Sequence, residues 1–323
     1  MHGWLILDKP LGLGSTQGVA AVKRALREGG YTKAKVGHGG TLDPLASGVL
    51  PIALGEATKL AGRLLDGDKE YAFTVRFGEE TDTLDLEGKV IATSEVRPTM
   101  AAIEAVLARF TGPIEQVPPA YSALKVDGER AYDLARAGET VTLAKRDVTI
   151  HRLDRHPRVS GDPTPSASDV DDAQVIGPRL RGGDEDIVGV DEVTLIAHVS
   201  KGTYIRSLAR DIAQALGTVG HVTFLRRTRA GPFGLAQAIT LDILGEAAKA
   251  RDLERYLLPL GAGLDDIPAL SLTPDQAGAL RQGRVLAGID AADGVTLATL
   301  HDVPQALVEV SAGQVRVVRG FNL

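Results

Sequence analysis

Apolar positions along the chain follow two periods, and their boundaries outline a mixed fold. Trp4-Leu5-Ile6-Leu7 is an apolar run closed by Asp8-Lys9-Pro10, which predicts a first strand. Val19, Val22 and Leu26 recur at helical spacing, predicting a helix over 16–28 that ends near Gly29-Gly30. A further helix is expected over 58–65. Tyr71, Phe73, Val75 and Phe77 alternate as in a half-buried strand over 69–78, followed by a turn at 81–85 and a partner strand at 89–93. Thr99 is placed to cap a helix that reaches Phe110. Residues 116–125 read as an extended, proline-interrupted segment, 130–137 as a helix and 149–153 as a strand. Order resumes with a strand over 192–199, a helix over 204–216, a strand over 221–227 and helical stretches at 240–250 and 253–258.

Two segments break this texture. Residues 155–190 lose periodicity and are rich in Pro, Ser, Gly and Asp, a composition that buries little apolar surface, so a mobile surface insertion is expected. From Ile267-Pro268-Ala269-Leu270, read as a linker, the chain changes to a short helix at 274–282 and short Val/Leu-rich runs, the pattern of a small all-β module. Strands and helices alternate without βαβ regularity, so the fold class is α+β. The expected division is a main domain over 1–266 and a small one over 267–323.

Composition narrows the chemistry. The 323 residues include no cysteine, which excludes disulfides, thiolate metal sites and cysteine nucleophiles together and suits a reducing compartment. Seven scattered His lack metal-ligand spacing, so no metal is expected. No run of about 18 apolar residues predicts a membrane span, and the first residues lack the pattern of a signal peptide, so the expected location is cytoplasmic. The net charge of −6 argues against a nucleic-acid partner. It is unevenly distributed, however. Nine acidic residues fall within 160–192, whereas Lys201, Arg206, Arg210, Arg226, Arg227 and Arg229 face Asp211 alone within 201–229. Screening limits the reach of distant charge to about 8 Å, so a basic patch there can hold a polyanion whatever the overall sign, although an Arg-rich segment is as readily a solvated helix face.

The candidate chemistry centres on the loop Gly37-His38-Gly39-Gly40-Thr41-Leu42-Asp43-Pro44. Pro44 biases Asp43 toward extended backbone, and the glycines permit close approach of a ligand. Asp43 is then a candidate nucleophile or base. Read alone, the loop is also an ordinary turn. Arg206 is a candidate to pair with Asp43 and orient it, and a tyrosine face such as that of Tyr71 suits stacking on a nucleobase. Each has a plainer reading too: Tyr71 as a core aromatic, Arg206 as a surface ion pair, His38 as a loop hydrogen-bonder and Leu225 as strand core.

Several long motifs stand together in one order: Leu7-Asp8-Lys9-Pro10, the loop from Gly37 through Lys59, Tyr71, Thr81-Asp82-Thr83, Gln116 through Lys125, and Ser200-Lys201-Gly202-Thr203-Tyr204-Ile205-Arg206. In these the chain resembles the TruB family of bacterial tRNA pseudouridine synthases over nearly its whole length. The resemblance implies a mixed, mainly antiparallel sheet with flanking helices and a C-terminal PUA-like RNA-binding domain. It implies isomerisation of uridine 55 in the T-arm of tRNA, without a cofactor or protein partner, by a monomer. Asp43 matches the family's catalytic aspartate, Arg206 the arginine paired with it and Tyr71 the tyrosine that stacks on the target base. Tyr204 and Leu225 match wall positions, and His38 the histidine that helps hold the flipped-out nucleotide. Flipping is expected because a stacked uridine hides C1′ and C5.

Gly39 departs from the family, which commonly has Thr there. Two rival classes explain less. An aspartate-nucleophile glycoside or nucleoside hydrolase usually needs a second carboxylate, and only Asp82 and Asp85 stand in the shared motifs. A non-catalytic RNA-binding or RNA-folding module leaves Asp43, Arg206 and Tyr71 without a use.

Overall fold

An apolar first strand, β1 (Gly3–Lys9), is followed by helix α1 (Ser15–Glu28), a short β2 (Val36–His38) and β3 (Ser47–Leu54). The computed structural model describes residues 1–122, 124–126, 128–139, 141, 143–156 and 188–323. Next come α2 (Ala61–Asp66), β4 (Lys69–Phe77), the hairpin β5 (Glu79–Thr81) and β6 (Val90–Thr93), α3 (Met100–Leu107) and β7 (Gly112–Gln116). A two-strand element, β8 (Lys125–Val126) and β9 (Glu129–Arg130), leads to α4 (Ala131–Arg136) and β10 (Arg146–Arg155). Then follow β11 (Glu192–Val199), α5 (Ile205–Ala215), β12 (Gly220–Ala230), β13 (Phe233–Gly234), β14 (Ala238–Ile239) and α6 (Leu241–Ala250). The last part holds β15 (Ala269–Ser271), α7 (Pro274–Arg281), β16 (Leu286–Ala287), β17 (Gly294–Leu300), β18 (Val303–Ser311) and β19 (Gln314–Gly320).

The main sheet runs β14-β1-β3-β12-β4-β11-β10-β7, with β2 on β3 and β13 on β12. Its pairs are antiparallel except β1–β14 and β12–β3, giving the expected α+β class with a mixed, mainly antiparallel sheet. α5 and α3 cover one region through Leu208, Ile212 and Ile103 against Phe73, Val75 and Leu195. α1 and α6 cover another through Val22, Leu26 and Leu244 against Leu5, Leu7 and Leu50. Threonines at 99, 240 and 273 cap α3, α6 and α7, each accepting from the third residue beyond, which satisfies an orphan amide of the first turn.

The second sheet, β15-β17-β18-β19-β16, packs on α7. It meets the first at Trp4, which is fully buried with Phe233, Ile267, Leu297, Leu307 and Phe321. Its indole N–H donates to the Leu260 carbonyl (3.1 Å). The stretch read as a linker is therefore structured: Ile267 is core, and Ala269–Ser271 pair in parallel with β17. The expected insertion at 155–190 lies mainly outside the described residues. Its ends are ordered: Arg155 closes β10, and the Val190 amide donates to the Pro98 carbonyl. No helix among the described residues is long and apolar enough to cross a membrane.

Candidate active site

The loop between β2 and β3 is pinned from three sides, and this fixes the backbone that carries Asp43. From α1, the Ser15 hydroxyl donates to the Leu42 carbonyl (2.9 Å), and the Leu42 amide donates back to Ser15 Oγ (2.7 Å). From the end of β1, Lys9 Nζ donates to the carbonyls of Leu13 (2.6 Å) and Pro44 (3.4 Å), and the Gly12 amide also donates to Pro44 (2.8 Å). From β12, the Arg227 guanidinium donates to the carbonyls of Gly40 (3.2 Å), Thr41 (3.2 Å) and Val49 (2.8 Å). Arg227 is 1% exposed and makes no ion pair among the described residues. Its backbone runs so close to Gly48 that a Cβ there would lie 2.2 Å from the Arg227 carbonyl; Gly48 also has φ +99°, which disfavours other residues.

Against this frame the Asp43 carboxylate projects into a cleft, 44% exposed. Arg206, on the first turn of α5, reaches Asp43 Oδ2 at 2.9 Å. It is buried, and both of its terminal nitrogens make further bonds. Nη1 donates to Asp85 Oδ2 (3.1 Å) and the Thr83 carbonyl (2.8 Å), and Nη2 to the Tyr121 carbonyl (2.9 Å). Asp85 is itself fixed: Oδ1 accepts from the Thr83 hydroxyl (2.6 Å) and the Glu87 amide (3.0 Å). Arg206 is thus a bridge between two carboxylates, one exposed and one buried. Such charge-assisted bonds hold orientation strongly.

The cleft, about 50 Å³, is lined by Asp43, Asp85, Arg206, Val222 and Leu225, with Leu11 and Leu86 at its mouth, both largely exposed. Tyr204, the residue before α5, is clamped through its backbone: its amide donates to Gln116 Oε1 (2.8 Å), and Gln116 Nε2 donates to its carbonyl (3.1 Å). The Arg146 guanidinium lies 5.6 Å from its ring centroid. Burial pushes the Tyr204 hydroxyl above its ordinary pKa, keeping it a neutral donor. Tyr71 stands on β4 opposite Arg227, with Phe73 opposite Leu225, so Tyr71 and Leu225 are diagonal neighbours across the strands. His38, at the end of β2, is half-buried, and its Nδ1 is enclosed without a hydrogen-bond partner among the described residues. Burial, then the nearby Arg227, lowers its pKa, so the ring is neutral near pH 7. His38 does not line the Asp43 cleft.

Residues 27–160 match the family described as TruB family pseudouridylate synthase (N terminal domain), and residues 206–265 match tRNA pseudouridylate synthase B C-terminal domain. The chain is similar over its full length to tRNA pseudouridine synthase B of Novosphingobium aromaticivorans, at 61% identity with 98% of that protein covered. It is 56% identical to the tRNA pseudouridine synthase B of Zymomonas mobilis, covering 100% of this chain and 96% of that protein. This chain belongs to the TruB family of pseudouridylate synthases. Members are isomerases that convert uridine to pseudouridine. The fold is also similar to the solved H/ACA RNP bound to a substrate RNA containing 2′-deoxyuridine. The TM-score is 0.68 at 24% identity, over 99% of this chain and 85% of that one. A Cbf5-Nop10-Gar1 complex gives a TM-score of 0.67 at 25% identity, over 99% and 85%.

The structure thus joins Asp43, Arg206 and Leu225 in one cleft, sets Tyr204 and Tyr71 beside it and places His38 at the base of the loop. Sequence reading missed Asp85 as the buried anchor of Arg206, and Arg227 and Gln116 as clamps. It also placed the basic patch wrongly. Within 201–229, Arg206, Arg226 and Arg227 are buried; Arg226 pairs with Asp8 (3.0 Å), Arg210 with Asp211 (2.8 Å) and Lys201 with Asp66 (3.0 Å). The arginines among these charges are mostly internal struts, whereas Lys201 and Arg229 stay exposed. The departure at Gly39 has a local cause: a Cβ there would lie 2.8 Å from Leu64 Cδ1 and 3.0 Å from its Cβ. Among the described residues, no group of three or more His, Asp or Glu is placed to hold a metal ion.

Proposed function

We propose that this chain isomerises uridine to pseudouridine at position 55 of the tRNA T-arm, with Asp43 as nucleophile. The observation that carries this reading is the half-exposed Asp43 carboxylate, locked by a buried Arg206 at the floor of a cleft. In the reaction the N1–C1′ bond breaks, the uracil turns, and C5 bonds to C1′. C5 loses a proton and N1 gains one, so nothing is oxidised or reduced. Arg206 holds the carboxylate in place through each step. Tyr71 stacks on the uracil, Tyr204 and Leu225 wall it, and His38 helps hold the flipped nucleotide. A 50 Å³ cleft is well below the roughly 300 Å³ of an ordinary ligand pocket. The flipped uridine therefore enters as Leu11 and Leu86 give way at the mouth.

Residues 1–266 form the catalytic unit in this reading, and 267–323 a PUA-like unit that grips the tRNA backbone. The enzyme works as a cytoplasmic monomer without a protein partner or cofactor. A glycoside-hydrolase reading loses support, because Asp85 is committed to Arg206, Thr83 and the Glu87 amide. The test is chemical mapping of pseudouridine on an unmodified tRNA transcript. Wild type is expected to mark the T-loop, and Asp43→Asn to bind RNA yet leave it unmarked. Absence of T-loop pseudouridine with wild type overturns the reading; full turnover by the variant overturns the nucleophile.

A further inference from the structure

With the 201–229 arginines largely internal, Arg229 apart, a run of cations free to meet a polyanion lies elsewhere. Lys23, Arg24 and Arg27 project from the exposed face of α1, at i, i+1 and i+4, and Lys33 and Lys35 continue from the segment that leads into β2. All five are exposed, and none makes an ion pair or side-chain hydrogen bond among the described residues. Only Glu28 interrupts them between 23 and 35. In a chain of net charge −6 this is a sharp local excess of positive charge. Favourable interaction with the helix C-terminus accounts for a cation such as Arg27, whereas Lys23 and the two lysines beyond the helix need another reason.

The position of these residues gives that reason. α1 begins at Ser15, which is bonded to Leu42 beside Asp43. At 1.5 Å per residue, Lys23 and Arg27 lie about 12 and 18 Å along the helix from that contact. Lys33 and Lys35 then enter a cleft of about 310 Å³ with His2, Glu56 and Lys59, where Lys59 is already held by Glu56 (2.6 Å) and the Gly320 carbonyl (2.9 Å). The track therefore starts near the candidate catalytic loop and ends where the second sheet docks.

We infer that Lys23, Arg24, Arg27, Lys33 and Lys35 form a docking track for the phosphodiester backbone of the tRNA, carrying the stem beyond the loop that enters the Asp43 cleft. The inference rests on the tRNA-modifying reading above. Such a track binds by neutralising phosphates and releasing counterions, so it is read from salt dependence rather than from a single affinity. Two variants test it in the full chain, Lys23→Ala/Arg24→Ala/Arg27→Ala and Lys33→Ala/Lys35→Ala. Binding of unmodified full-length tRNA is measured across a KCl series, and KM and kcat for pseudouridine formation at one salt.

The triple variant is expected to flatten the slope of log K against log salt by up to about 2.7, and the double by up to about 1.8, at roughly 0.9 per phosphate contact. KM should rise tenfold or more with kcat little moved, and an isolated loop oligonucleotide too short to reach α1 should show no such loss. Salt slopes and KM equal to wild type overturn the track. So does an equal loss on the short oligonucleotide, which would mark a general defect. A wild type that makes no pseudouridine fails the functional reading instead, and that outcome is visible before any variant is assayed.

Discussion

Arg206 and Asp85 form a buried ion pair at 3.1 Å, and the carboxylate that does no chemistry in the proposed reaction is the one that holds the arginine. Both side chains are less than a tenth exposed, whereas Asp43 on the other side of the guanidinium is open to the cleft. Removing one member of a buried pair costs about 3–5 kcal/mol because the partner is left uncompensated. Asp85→Asn keeps the shape and removes the charge. It should lower the unfolding free energy by an amount approaching that range. It should also cut kcat by about 100-fold, the cost of displacing a reacting group by about 1 Å. Denaturant melts and single-turnover pseudouridine assays on the same preparation check both. Unchanged kcat would show that Arg206 is held adequately without Asp85.

Arg227 orients the Asp43 loop from behind. Its three carbonyl contacts match the fixed fork of a guanidinium, which an ammonium does not reproduce. Arg227→Lys should therefore retain the positive charge and lose loop order, with kcat falling at least tenfold. Arg227→Met leaves three carbonyls without their donor and should destabilise the fold by about 1–3 kcal/mol or more. Kinetics and denaturant midpoints separate the two effects; a lysine variant with wild-type kcat would remove Arg227 from the positioning of Asp43.

What the sequence made legible was whatever local pattern controls. The period of two around Phe73, the helical spacing of Val19, Val22 and Leu26, and the Thr99 cap all appear as expected. Asp43 and Arg206 were joined on chemical grounds, and they lie 2.9 Å apart. The misses share a physical cause. An arginine in a strand reads as a surface charge, yet Arg227 is buried because backbone carbonyls 178 to 187 residues away in sequence surround it. Asp85 reads as part of a turn, and only the tertiary fold brings α5 across to it. Ile267 reads as linker because its partner, Trp4, lies at the other end of the chain.

Gly39 offers a test of family divergence. Threonine there would press on Leu64, a buried side chain with little room to retreat. Overpacking of this kind costs about 1–3 kcal/mol. Gly39→Thr should be destabilised by that amount, and much less so in a Leu64→Ala background. A double-mutant cycle on denaturant unfolding should return a coupling energy of about 1 kcal/mol or more between the two sites. Additive effects would show that Leu64 is not what excludes the larger residue.

Lys9 and Lys69 make the stability of the fold rise on the alkaline side. Burial lowers each to a pKa of about 8; Asp43 pulls Lys9 back up and Arg227 pushes it further down, while Arg227 also lowers Lys69. Between about 8 and the ordinary lysine value of 10.5, the unfolded chain keeps protons that the native chain has released. Stability therefore increases with pH through that window, by at most about 1.4 kcal/mol per pH unit for each group. Lys9→Met removes one of the two contributions. It also strips the Leu13 carbonyl of its 2.6 Å donor, a loss present at every pH. The unfolding free energy of wild type minus that of Lys9→Met should accordingly grow from pH 7.5 to 10.5. A difference that stays flat across this range would mean that Lys9 keeps its proton in the folded protein.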